Sequence, residues 1–360
     1  MTASWLADAR EVLVFRALVL GDLLCATPAL RALRTAAPRA RIVLCGLPWA
    51  ADLAARLASV DEFLAFPGHP DLPERRPEPG AFDHFVETAR ARRFDVALQL
   101  HGSGGIVNPF VVSLGAGRVA GFATAGTDAG LSLAVPWPEQ GTEIERCLRL
   151  TDALGAPRAG PGLDFPLRDD DHRQAAGLLD DAGVRGPFAV VHAGSQLPSR
   201  RWSPERFAAV ADALADRGLT VVLTGSAAEG DLARAVRAAA RCSPVDLTGR
   251  TPSLWVLGAV VAASALVVAN DTGISHIAAA LDVPSTIVAS GSDVARWAPL
   301  DHDRHPVLWH ATPCRPCAHA VCPTGHECAA GVPVSAVVSR ATALLERSRP
   351  CPNPSVASAS

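Results

Sequence analysis

Residues 267–284 read VVANDTGISHIAAALDVP. The apolar run that enters this stretch, Ala265 to Ala269, has the composition of a parallel strand buried on both faces, and it stops at the polar turn Asn270-Asp271-Thr272-Gly273. Beyond the turn, Ile274, Ile277, Ala278 and Leu281 recur at helical spacing, and Thr272 or Asp271 is placed to cap the new helix. A strand that delivers a helix N-terminus, with Gly273 permitting close backbone approach, suits phosphate, because the N–H groups of the first turn and the helix dipole both favour an anion. Most strand-helix turns in α/β proteins bind nothing, so the rest of the chain has to carry the functional reading.

Working outward, the same alternation recurs. Strands are predicted at 12–20, 41–45, 61–66 and 94–100, with helices at 23–33, 50–58 and 82–92 between them; Pro28 falls in the first turns of its helix, where its missing N–H is best tolerated. Pro67 to Gly80 reads as an exposed loop. In the second half, helices at 170–182, 253–264 and 334–345, and one opened by Ser203-Pro204-Glu205 with good cap chemistry, alternate with strands at 188–192, 219–224 and 285–289. The fold class is therefore α/β, with parallel sheets covered by helices on both faces. A Pro-punctuated transition at 136–166, holding one helix from Glu143 to Leu154, separates an N-terminal domain, 1–160, from a C-terminal domain, 161–346, and residues 347–360 read as a disordered tail.

Composition narrows the functional classes. At 360 residues, two domains of ordinary size are the default, and 49% hydrophobic residues provide ample core. A formal charge of −3 argues against a nucleic-acid partner, whose phosphates call for a basic excess. No apolar run reaches the roughly 20 residues needed to span a bilayer, and Asp8, Glu11 and Arg16 interrupt any export signal, so the expected location is cytoplasmic. Lysine and tyrosine are both absent, so arginine is the sole strongly basic side chain. Of nine cysteines, Cys314, Cys317, Cys322 and Cys328 cluster. Structural zinc or an iron-sulfur cluster, a redox disulfide pair and reduced thiols all stay open for them, since the second half of the cluster lacks CxxC spacing.

Several polar residues stand at predicted strand ends, where ligands gather in open α/β sheets. Asp22 follows Gly21 after the first strand and is either a functional carboxylate or a helix N-cap. Arg200 and Arg201 follow the turn Gly194-Ser195, and a guanidinium there can grip phosphate oxygens in bidentate fashion. Glu229, shortly after another strand, is placed to accept from ribose hydroxyls.

VFRALVLGDLLCATPALRALR, FDVALQLHGSGGIVNPFVVSLGAGRVAGF, HAGSQLPSRRWSPERF and VANDTGISHIAAALDVP, in this order, resemble the motifs of glycosyltransferase family 9, which contains the ADP-heptose heptosyltransferases of lipopolysaccharide core synthesis. The resemblance implies a GT-B architecture, two Rossmann-like domains facing a central cleft, and an inverting, metal-independent transferase with no required cofactor. It makes Asp22 the catalytic base and assigns the donor to Gly194, Ser195, Arg200, Arg201, Glu229, Asp271, Thr272, Gly273 and His276, with Asp293 and Arg296 of second rank. His101, Ser103 and Asn108 fall on the acceptor side, at a strand end facing the cleft. The family often has His where Thr142 stands here. The implied partners are a nucleotide-diphosphate sugar and a glycan or glycolipid acceptor, with peripheral contact at the inner membrane face. A sugar-nucleotide epimerase of similar fold and a non-catalytic nucleotide-sugar binding protein are the competing readings.

Overall fold

The computed structural model describes residues 3–317 and 319–348. The tail expected at 347–360 lies outside them except for its first two residues, which belong to the helix Val334–Ser348. The chain divides into two compact units, one ending at Pro166 and the other beginning at Leu167. Among the described residues no helix is long and apolar enough to cross a membrane.

The first unit carries strands β1 (Glu11–Phe15), β2 (Arg41–Gly46), β3 (Glu62–Ala65), β4 (Val96–Gln99), β5 (Arg118–Ala123) and β6 (Leu133–Pro136). They form one parallel sheet in the order β3-β2-β1-β4-β5-β6. The second unit repeats the plan with β7 (Phe188–His192), β8 (Thr220–Leu223), β9 (Val245–Asp246), β10 (Leu266–Asn270), β11 (Ser285–Ala289) and β12 (Val307–Trp309). Its order, β12-β11-β10-β7-β8-β9, is the same pattern read from the other edge. Each sheet has the doubly wound order, which reverses beside the unit's first strand and opens a crevice at the carboxyl ends there. Burial follows position: β7, β10 and β11 are buried throughout, as their Val- and Ile-rich runs require, whereas the edge strand β6 alternates partial burial with exposure.

Three local expectations change. The first strand stops at Phe15 rather than Leu20, and the next helix, Leu20–Ala36, starts ahead of Asp22. The apolar run Ala17 to Leu20 looks like strand, but the Ala17 N–H donates to His101 Nδ1 at 3.2 Å and the Arg16 side chain turns to the Asp22 carbonyl, so the chain leaves the sheet. Pro28 therefore lies mid-helix, where it cannot donate to the Leu24 carbonyl. Thr27 Oγ1 donates to that carbonyl instead, at 2.8 Å. The same hydroxyl accepts from the Asp164 N–H at 2.9 Å, and Arg31 bonds the Gly160 carbonyl, so the end of the transition segment is fastened to this helix. Finally, the helix expected at 50–58 shrinks to a 3-10 turn, Pro48–Ala50, and Ala51–Ala54.

Candidate active site

In the first unit the strand order reverses between β1 and β4, and Arg16 lies just past β1, 2% exposed. Its Nε donates to the Asp22 carbonyl at 2.7 Å, its Nη1 donates to the Leu100 carbonyl, and its Nη2 donates to Glu143 Oε1 at 2.9 Å. One guanidinium thus ties the ends of β1 and β4 to the start of the helix Glu143–Ala153. Burial works against its charge, but Cys147, Glu143 and Asp22 together outweigh it and push the pKa up. The Asp22 carboxylate stands 3.8 Å from Nη2, farther than Glu143, and its side chain is 15% exposed. It sits in the first turn of its helix, where the dipole favours negative charge. The N-cap reading of Asp22 falls, because Val19 holds that position.

His101 and Asn108 do not open outward as expected. His101 is buried, stacked on Phe15 at 5.2 Å, with Nδ1 accepting from Ala17 and Nε2 3.4 Å from Glu74 Oε1. Asn108 is fully buried and donates to the Phe122 and Thr127 carbonyls at 2.9 and 2.6 Å. Both lie beneath the carboxyl edge, and the Asn108 Oδ1 is buried there with no hydrogen-bond partner among the described residues. Ser103 is half-buried in the turn after β4. Thr142 serves as a cap, its hydroxyl accepting from the Glu145 N–H at 3.2 Å.

In the second unit the reversal lies between β7 and β10, and the tie is neutral. Asn270, 0% exposed, accepts from the Trp202 N–H at 2.9 Å and donates to the Ala193 carbonyl at 2.8 Å, holding the two strand ends together. Beside it, Gly194 packs so closely on Glu229 that a Cβ there would fall 1.9 Å from Glu229 Oε1. A side chain at 194 would displace the carboxylate, whose other oxygen accepts from the Ser226 N–H and hydroxyl at 2.8 and 2.9 Å. Buried His192 lies next to this group, paired with Thr224 at 3.1 Å; burial pulls its pKa down, against the pull of Glu229.

The helix Gly273–Ala280 starts where the sequence places it, but Thr272 makes no side-chain cap. Its carbonyl instead accepts from the Ser275 hydroxyl at 2.7 Å. His276 is buried within this helix and Asp271 is half-buried before it. Asp293 is a helix cap, accepting from the Arg296 N–H at 3.3 Å, while Arg296 lies 4.6 Å over Trp297. Ser203 makes no cap bond with its side chain. Ser195 is buried, and its carbonyl accepts from Arg201 Nε at 2.9 Å; Arg200 turns to the Cys317 carbonyl.

That last bond belongs to a lacing the sequence did not reveal. Cys317 N–H donates to the Gly291 carbonyl at 2.7 Å, Ser199 N–H donates to Ala320 at 3.1 Å, and His326 Nε2 donates to the Ser199 carbonyl at 3.0 Å. The cysteine-rich segment is thereby bound to the loops after β7 and β11. Its thiols do not form the zinc or iron-sulfur ligand set held open above: among the described residues no group of three or more His, Cys, Asp or Glu side chains could hold a metal ion. Each sulfur has its own surroundings instead. Cys314 lies 3.4 Å from the Thr312 hydroxyl, Cys317 accepts from the His319 N–H at 3.4 Å, and Cys322 donates to the Thr324 carbonyl at 3.5 Å. Cys328 is buried in the short helix Glu327–Ala330 and its thiol pKa is pushed up by that burial.

Arg16, Glu143 and Asn270, which tie the strand ends at the two reversal points, are residues that sequence reasoning missed. A charged residue inside the run VFRALVL was a signal for Arg16.

Two successive units of one doubly wound order, each with polar groups at its reversal point, define the GT-B class of α/β proteins. The chain belongs to glycosyltransferase family 9 (heptosyltransferase), whose family model matches residues 84–327, and it is a glycosyltransferase. It is 30% identical over 168 residues to lipopolysaccharide heptosyltransferase 3 of Escherichia coli (strain K12), a match that takes in 45% of this chain and 48% of that relative, about half its length. With lipopolysaccharide heptosyltransferase 2 of Salmonella typhimurium (strain LT2) it shares 27% identity over 312 residues, 81% of this chain and 86% of the relative. The crystal structure of the glycosyl transferase family 9 protein from Veillonella parvula DSM 2008 has the same fold, with a TM-score of 0.81 at 20% identity, covering 94% of this chain and 98% of that one.

Proposed function

We propose that this glycosyltransferase transfers heptose from ADP-heptose, with inversion at the anomeric carbon, to a hydroxyl of a lipopolysaccharide-core or other glycan acceptor. The observation that carries the reading is Asp22. Its carboxylate stands at the carboxyl end of the first sheet, partly accessible, beside an arginine whose nearer carboxylate partner is Glu143. Such a carboxylate can take the acceptor hydroxyl proton as that oxygen attacks the sugar. The departing diphosphate gathers negative charge as the transition state becomes oxocarbenium-like, and the N-terminus of Gly273–Ala280 with Arg200 and Arg201 meets it. Glu229 accepts from the ribose hydroxyls, and Gly194 and Ser195 present backbone N–H groups. These fixed donors serve the role a divalent ion would serve, so the reading is metal-independent. Contact with the inner membrane face belongs to it as well: Val19, Trp49 and Ile106, which follow β1, β2 and β4, are 47%, 40% and 45% exposed, an apolar fringe suited to a glycolipid acceptor.

A thermal-shift screen of ADP-, GDP-, CDP- and UDP-sugars, followed by mass analysis and anomeric assignment of the product, tests the reading. ADP-heptose should give the largest shift, and turnover should persist in EDTA. Turnover lost in EDTA and restored by magnesium, with the melting curve unchanged, would falsify the metal-free mechanism.

A further inference from the structure

We propose that Arg315, carried by the cysteine-rich segment, is a diphosphate-binding residue of the donor half-site, gripping the same phosphates as Arg200. The inference rests on the donor reading above and adds a residue that none of the four family motifs contains.

Geometry comes first. Arg315 Nη1 donates to the Ala289 carbonyl and Nη2 to the Ser292 carbonyl, both at 2.8 Å, and the guanidinium lies 5.2 Å over the Trp309 ring. Those carbonyls mark the end of β11, the strand paired with β10, so the cation is fixed on the sheet edge that also delivers the N-terminus of Gly273–Ala280. Two N–H groups of the fork are used, which leaves its remaining N–H groups to donate to an anion. A guanidinium held in place before the ligand arrives loses little freedom on binding.

The charges point the same way. Arg315 is half-buried, and burial weakens its hold on the proton; Arg200 acts in the same direction, while Asp271 supports its charge. Two arginines within each other's field, with Asp271 the carboxylate acting on Arg315, leave a positive balance that a diphosphate relieves, one bidentate grip for each cation.

A second observation is independent of charge. The hydroxyls of Ser290 and Ser292, in residues 1% and 7% exposed on the same loop, are buried with no hydrogen-bond partner. An unpaired buried hydroxyl is costly, and although Ser59, Thr248, Thr286 and Thr342 also carry one, these two lie on the loop that Arg315 grips, where phosphate oxygens would supply the missing acceptors.

Calorimetry on the full chain with ADP, GDP, CDP, UDP and inorganic pyrophosphate, against adenosine and AMP, provides the test. Arg315→Ala should weaken the preferred nucleoside diphosphate about 10- to 100-fold, the range for a hydrogen bond to a charged group, while adenosine changes less than about 3-fold. Arg315→Lys should recover part of the loss. Unchanged diphosphate affinity in Arg315→Ala would overturn the inference and leave the donor reading standing. Equal losses for diphosphate and adenosine would also overturn it, since Arg315 would then serve only to lace the segment down. If the wild-type protein binds no nucleoside diphosphate or nucleotide sugar, the donor reading fails and this inference with it. Should Arg315→Ala not fold, Arg315→Gln, whose amide can still donate to a carbonyl, gives the same comparison.

Discussion

The two units share one strand order yet close their reversal points with opposite chemistry. In the first, a buried cation does the tying: Arg16 joins the ends of β1 and β4 and has Glu143 at 2.9 Å to balance it. In the second, the neutral amide of Asn270 joins β7 and β10. The proposed function accounts for the contrast. A carboxylate that must accept a proton gains from a cation nearby that is already largely compensated, whereas an anion site gains from a tie that adds no negative charge of its own. The scaffold sets where the ends meet, and the tying residue sets the field there.

Removing the carboxylate should break the first half of this comparison most severely. Asp22→Asn keeps the shape but cannot take a proton, so turnover should drop by roughly two to four decades with donor affinity little changed. A near wild-type rate in single-turnover assays would assign Asp22 to the helix terminus alone.

Glu143→Gln addresses the tie itself. It leaves Arg16 buried with its nearer counter-charge gone, and losing one partner of a buried pair costs about 3–5 kcal/mol. Urea unfolding should show that loss. A change below about 1 kcal/mol would mean that the backbone carbonyls alone hold Arg16.

Acid probes the second unit. His305, bonded to Ser285 at 2.9 Å, has its pKa pulled down from 6.5 to about 4, chiefly by burial, with Asp301 opposing. Between those values the unfolded chain binds more protons than the folded one, so the contribution is complete above pH 6.5 and fades as the pH falls towards 4. The loss should be of order 3 kcal/mol. His305→Gln should flatten the unfolding midpoint between pH 4 and about 6.5; an equally steep slope in the variant would assign the acid sensitivity elsewhere.

The smallest effect separates two neighbours. Both side chains bond a backbone carbonyl, Arg201 that of Ser195 and Arg200 that of Cys317, but Arg200 also lies in the field of Arg315. Arg200→Ala should weaken diphosphate binding by about 1.5–3 kcal/mol, and Arg201→Ala by less. Equal and negligible losses in calorimetry would remove both from the site.

Much of this was legible along the chain. Apolar runs closed by glycine or polar turns identify the strands, helical spacing after Asp271 identifies the helix Gly273–Ala280, and Asp22 next to Gly21 stands out without any neighbour in space. These are properties of burial period and turn chemistry, which act over a few residues. What tertiary structure alone decided depends on strand order. Glu143 is 127 positions from Arg16, and Arg200 is 117 positions from the Cys317 carbonyl it bonds. No local pattern encodes such pairings, because they exist only once the sheets bring distant strand ends to one edge. The four clustered cysteines show the converse. Their spacing left a shared metal, a disulfide pair and reduced thiols all open, and backbone bonds from Ser199 to Ala320 and from Cys317 to Gly291 spread the segment across two loops, where each thiol follows the backbone that carries it.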